Sequence, residues 1–352
     1  MALGRRRRAV PPPLLCRWDL DKTYLKSEFE TLRQLWRTAR ESGADKVEVP
    51  GVPAVMQAIR HAAAEHRREL RVYFISASPP QIGPAVRDKL ALDGVLYDGI
   101  TFKDQLQLIK QGKLRNLREH VGYKLGELLR GRIEAPAGAG ELLFGDDWES
   151  DPLTYSLYAD ILAGQIDTER LARLLGRIGV DPLVVPGVCE LSERARGTGA
   201  VERIFINLER RTPPNAFRVY GPRLVPAFDY FQTAVVLAVE GYLLPADLAD
   251  VARALVERAG FTPRRLANTL ADVVRRGIVD SEPAEQTVES LRTAALLPPR
   301  TTAQAGWLRR MVQRLRRGRR RVVPPVERPI DYETIIDRRA ARGVESPAEE
   351  RA

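Results

Sequence analysis

The stretch LLCRWDLDKTYL, Leu14 to Leu25, decides how the fold is read. A short apolar run ends in two aspartates, Asp19 and Asp21, with Thr23 two residues further on. Carboxylates set this close repel each other and resist burial. Either they face solvent at a strand end, or something cationic holds them there.

Working outward, residues 14–163 alternate strand-like and helix-like segments. SEFETLRQLWRTARES carries Phe29, Leu32, Leu35 and Trp36 at helical spacing. GVPAVMQAIRHAAAEHRREL reads as a second helix with Pro53 in its first turn. RVYFISAS is strand-like, DGVLYDGIT a short third strand, NLREHVGYKLGELLRGR a helix, ELLFGDD a strand and DPLTYSLYADILAG a helix. This order predicts an α/β domain over 14–165, with a parallel sheet and helices on both faces. Ligands of such sheets bind at the carboxyl ends of strands. Asp19, Ser76 and Asp146 each fall at such an end. From residue 166 to 298 the pattern predicts an α-helical extension packed on that core, with Pro245 and Thr262–Pro263 at helix starts. Residues 1–13 read as a basic, proline-rich arm, and 299–352 as an Arg/Pro-rich flexible tail.

Composition narrows the function classes. The 352 residues are 44% hydrophobic, enough for a substantial core, and no run of about 18 apolar residues occurs to cross a membrane. The N-terminal MALGRRRRAVPPPLLC is basic but lacks an apolar h-region, so no signal peptide and a cytoplasmic location are expected. Cys16 and Cys189 lie in apolar contexts and read as buried free thiols, a disulfide being the minor alternative. The net charge of +10 is outweighed by twelve arginines in two clusters, Arg5 to Arg8 and Arg309 to Arg321, so the rest of the chain is close to neutral. In GWLRRMVQRLRRGRRR, Trp307, Leu308, Met311, Val312 and Leu315 share one helical face opposite arginines. Residues 307–321 therefore fit peripheral contact with an anionic membrane, or a solvated tail, and less well a nucleic-acid contact. His61, His66 and His120 have no metal-ligand spacing. No GxGxxG or P-loop is present, and Ser76 and Ser78 have no histidine partner set by sequence, which argues against a serine hydrolase.

Four pieces remain. They are DLDKT, FISASP with Ser76, GYKLGELL with Lys124, and GDDWESDP with Asp146, Asp147 and Asp151. Phosphoryl transfer through a carboxylate needs such a set. One acid attacks phosphorus, and a second protonates the leaving oxygen and then activates water. A hard cation with few carboxylate ligands holds nucleophile and phosphate together, while a hydroxyl and an ammonium bind the phosphoryl oxygens.

The ordered set resembles the haloacid dehalogenase superfamily, and most closely the actin-patch-associated phosphatidate phosphatase catalytic-domain family. The resemblance covers roughly residues 14–163 and implies a Rossmannoid parallel sheet. It implies Asp19 as nucleophile and Asp21 as general acid/base, within a first motif that includes Thr23. It also implies Ser76 and Lys124 as phosphate-binding groups and Mg²⁺ as cofactor. The metal site would be formed by Asp19, Asp21 through its backbone carbonyl, Asp146 and Asp151. Asp147 would fit a shorter version of the last motif, and Lys103 in TFKDQ is a rival to Lys124. Lys22 stands where the superfamily commonly has glycine. The expected activity is a phosphomonoesterase acting on phosphatidate or another lipid phosphate. The alternatives are a phosphatase for nucleic-acid ends or phosphoproteins and a catalytically silent scaffold. The short interval from Thr23 to Ser76 leaves no room for a large cap domain, and an uncovered site would suit a large or membrane-presented substrate.

Overall fold

A computed structural model describes residues 11–26, 48–103, 117–148, 150–299, 301 and 329–345. The helix expected over SEFETLRQLWRTARES, the arginines at 5–8 and the amphipathic stretch 307–321 lie outside the described residues.

Six parallel strands form one sheet in the order β3-β2-β1-β4-β5-β6. They are β1 (Leu14–Asp19), β2 (Leu70–Ser76), β3 (Gly99–Phe102), β4 (Gly140–Asp146), β5 (Ala200–Asn207) and β6 (Leu224–Ala227). Helices α1 (Val52–Glu65), α2 (Gly83–Leu92), α3 (Leu117–Ile133), α4 (Asp151–Leu162), α5 (Thr168–Ile178) and α6 (Val185–Ala195) fall between the strands. After β6 come α7 (Tyr230–Val239), α8 (Pro245–Ala259), α9 (Pro263–Arg276), α10 (Ser281–Thr293) and α11 (Tyr332–Glu345). This is a Rossmann-like α/β fold, and its strand order reverses direction between β1 and β4.

The sheet is covered on both faces, so its central strands are buried at every position. Alternate residues of a strand serve opposite faces. Leu14, Cys16 and Trp18 join α1 and α7 to α10 in one core. Ile75, Leu143, Ile204 and Ile206 join α3 to α6 and α11 in the other. Trp18, Phe144 and Phe205 occupy matching positions on β1, β4 and β5. Their rings stack, with centroids 3.7 Å apart for the first pair and 5.2 Å for the second. The opposite face carries a buried polar knot. Glu141 accepts from Arg17 at 2.7 Å, from Arg132 at 2.8 Å and from the Tyr158 hydroxyl at 3.0 Å, so the two guanidinium groups are buried with a carboxylate partner.

Two expectations are corrected. The first concerns the division at residue 165 and the wholly helical extension over 166–298. The sheet runs past residue 165 and takes β5 and β6 from that segment. AVERIFIN hides its strand character behind Glu202 and Arg203, and the latter is neutralised by Glu240. Pro226 in β6 looks like a breaker, but β6 is an edge strand, where a missing N–H is tolerated. The second concerns the flexible tail over 299–352, because residues 332–345 form α11, docked on the molecule. Tyr332 is fully buried, and its hydroxyl donates to Asp160 Oδ2 at 2.7 Å. Arg170–Glu333 and Arg177–Asp337 ion pairs tie α11 to α5. Composition misleads here, because these charged residues are spent on partners within the fold.

Candidate active site

Asp19 closes β1 and Asp146 closes β4, so the two carboxylates stand on either side of the point where the strand order reverses. Asp151 opens α4, directly after the turn that follows β4. A carboxylate in a helix's first turn is favoured by the exposed N–H groups there. Asp19, Asp146 and Asp151 each offer an oxygen, and these oxygens lie within 4.8 Å of one another in a buried cluster. Lys124, from the middle of α3, reaches in and donates to Asp19 Oδ1 and to Asp151 Oδ1, both at 2.7 Å. All four side chains are completely buried. Three carboxylates are thus buried side by side with the Lys124 ammonium, and like charges at this spacing are costly to bury. The donor set is all oxygen, compact and anionic, and it fits a hard divalent cation such as Mg²⁺.

The structure brings together most of the expected site residues. Asp147 turns away, its carboxylate accepting from the backbone N–H groups of Arg210 at 2.9 Å and Thr212 at 3.1 Å. Asp151 is therefore the acid that joins the cluster. Lys103 donates its backbone N–H to the Ser76 and Ser78 carbonyls, and its ammonium lies 5.9 Å from the centre of the Tyr123 ring. Lys124 is the lysine that donates to Asp19 and Asp151. The carboxylate of Asp21 lies outside the three-acid cluster and accepts from the hydroxyls of Ser76 at 2.8 Å and Ser78 at 2.9 Å. Thr23 is fully buried, and its hydroxyl has no hydrogen-bond partner among the described residues.

Close packing fixes this arrangement. A Cβ placed on Gly145 would stand 2.4 Å from Asp151 Oδ2 and 2.8 Å from the Tyr155 ring, so only glycine lets α4 approach β4 here. Burial and the neighbouring acids push the Tyr155 and Tyr230 hydroxyls well above the ordinary phenol range. Both stay protonated and donate, Tyr155 to the Phe144 carbonyl at 3.3 Å and Tyr230 to the Thr23 carbonyl at 3.1 Å. Helix α7 thus braces the DLDKT turn from 207 residues away.

Lys22 lies in that turn. Its φ is 61°, in the left-handed region, which costs an ordinary residue about 1–2 kcal/mol. The Lys22 ammonium lies 3.8 Å from the centre of the Trp148 ring, and the Arg210 guanidinium 4.3 Å from it. A cation over an indole at a partly exposed site contributes about 0.5–1 kcal/mol, which offsets part of the strain. Sequence reading did not single out Tyr230, Trp148, Arg210, or Asn207, which pairs in register with Asp146. Only Trp148 had a local signal, an aromatic directly after the GDD turn.

Comparisons with family models, with curated proteins and with solved structures give no match. Among the described residues no helix is long and apolar enough to cross a membrane.

Proposed function

We propose that the chain is a Mg²⁺-dependent phosphomonoesterase of the haloacid dehalogenase type, working through an aspartyl-phosphate on Asp19. The observation that carries this reading is the buried cluster of Asp19, Asp146 and Asp151 with Lys124 between two of its members, at the strand-order reversal. Mg²⁺ held by Asp19, Asp146 and Asp151 would neutralise the carboxylates and the phosphate they face. Asp19 attacks phosphorus, and the bond to the leaving oxygen breaks as that oxygen takes a proton from Asp21. Water then gives its proton to Asp21 and attacks the acyl phosphate, releasing inorganic phosphate and restoring Asp19. Lys124 orients the nucleophile and offsets its charge. For Ser76 to bind a phosphoryl oxygen, its hydroxyl must leave Asp21.

Among phosphomonoesters we favour a phosphatidate-like lipid, on the resemblance of the four motifs to the phosphatidate phosphatase family. The test is a phosphatase screen in Mg²⁺ over lipid, nucleotide and phosphopeptide substrates, repeated with EDTA and with Asp19→Asn. Turnover on at least one class is expected, with a loss of about a thousandfold or more in both controls, since removing a covalent nucleophile removes the pathway. Full turnover by purified Asp19→Asn would reject the mechanism.

A further inference from the structure

Two cations that the hydrolytic steps do not use approach Trp148, whose backbone N–H is bonded to Asp146 of the carboxylate cluster. Lys22 sits between Asp21 and Thr23, and its ammonium and the Arg210 guanidinium both approach the Trp148 ring. Three consecutive residues tie this platform to the site. Asp146 belongs to the cluster and accepts from the Trp148 backbone N–H at 2.6 Å. Asp147 clamps the backbone at Arg210 and Thr212. Trp148 receives the two cations. Lys22 is partly buried and Arg210 exposed, and among the described residues neither forms an ion pair with a carboxylate. A glycine would hold the turn at residue 22 without strain. The chain instead keeps a lysine in the left-handed region and seats it against an indole.

We infer that Lys22 and Arg210, aligned on Trp148, form a second anion subsite that takes a negatively charged group lying beside the scissile phosphate. This rests on the reading of the Asp19 cluster as the phosphate site. The second anion is a phosphoryl or carboxylate group, carried either by the substrate itself or by a neighbouring lipid headgroup. Arginine offers a planar fork of donors and lysine a point charge, a pairing suited to an oxyanion.

The test uses the full chain in Mg²⁺. Calorimetry measures binding of inorganic phosphate and of methylenediphosphonate, and sedimentation measures binding to phosphatidylcholine vesicles with and without phosphatidylglycerol. If the substrate carries both anions, the diphosphonate binds about tenfold tighter than phosphate, as expected for one added charge-assisted contact. Arg210→Gln and Lys22→Gly then bring that ratio close to one. If a headgroup supplies the second anion, the two soluble probes bind alike, and the gain from phosphatidylglycerol falls in the same two variants. The proposal is overturned if neither difference depends on Lys22 or Arg210. Lys22→Gly relieves the turn and Arg210 is exposed, so folding is not at risk in either variant. Because the readout is binding, absence of turnover on every substrate would count against hydrolysis and leave this subsite standing.

Discussion

Asp146 and Asp147 are adjacent and chemically identical, yet they face different tasks. The last residue of β4 points into the cluster, and the next points to the backbone after β5. Titration with Mg²⁺ should show this directly. Asp146→Asn and Asp151→Asn should each weaken Mg²⁺ binding at least tenfold, because each removes a charged oxygen from a small set. Asp147→Asn should stay close to wild type, and an equal loss there would undo the assignment. Spacing alone left Asp147 and Asp151 open, because the sense of the turn after β4 is set by Gly145 and by α4 rather than by the acids. Lys124 was picked out because it lies on the helix leading directly into β4, and it reaches Asp19 and Asp151. Tyr230 was not, because its contact with Thr23 depends on how α7 packs under the sheet.

At the level of elements, the β4–α4 junction has little slack. Gly145→Ala should cost about 1–3 kcal/mol through overpacking and weaken Mg²⁺ binding by displacing Asp151, read from urea denaturation and calorimetry. A substitution that leaves both unchanged would show that α4 can shift freely. Between α1 and α8, His61 Nδ1 lies 2.6 Å from Asp247 Oδ1. This hydrogen bond, with the Asp247 charge, raises the His61 pKa above its ordinary 6.5. A raised folded pKa favours the native state at low pH, and that contribution disappears as pH climbs through the raised value. The gap in urea midpoint between wild type and His61→Ala should therefore be open below the ordinary imidazole pKa and close at higher pH. A gap constant with pH would mean that the pair is not ionic. The helices α1, α3, α4, α8 and α9 were legible from periodicity and proline placement, and α9 starts on the Thr262 cap as expected. Strands β5 and β6 were not, because the charges and proline that disguise them are neutralised or tolerated only in the assembled sheet.

Across the whole molecule, the alternating order of the first half was enough to foresee a parallel sheet, and with it a site at the strand ends. The sequence did not reveal that residues near the C-terminus complete one of the two cores. Tyr332→Ala should lower stability by about 3 kcal/mol or more in chemical denaturation, because it empties a buried aromatic site and takes the Tyr332 donor from Asp160 Oδ2, leaving Asp160 its ion pair with Arg223. Near-wild-type stability would show that α11 is dispensable. Membrane binding by residues 307–321 is then better tested by replacing their arginines within the full chain than by truncation, which would also remove α11. The ring ladder beneath the acids has a practical outcome of its own. Trp18 is sealed from water, one peptide link from Asp19, and stacked on the ring that precedes Gly145 and Asp146. If the cluster takes a divalent ion as proposed, Trp18 should act as a built-in fluorescent gauge, its emission changing on titration with Mg²⁺ without any added dye.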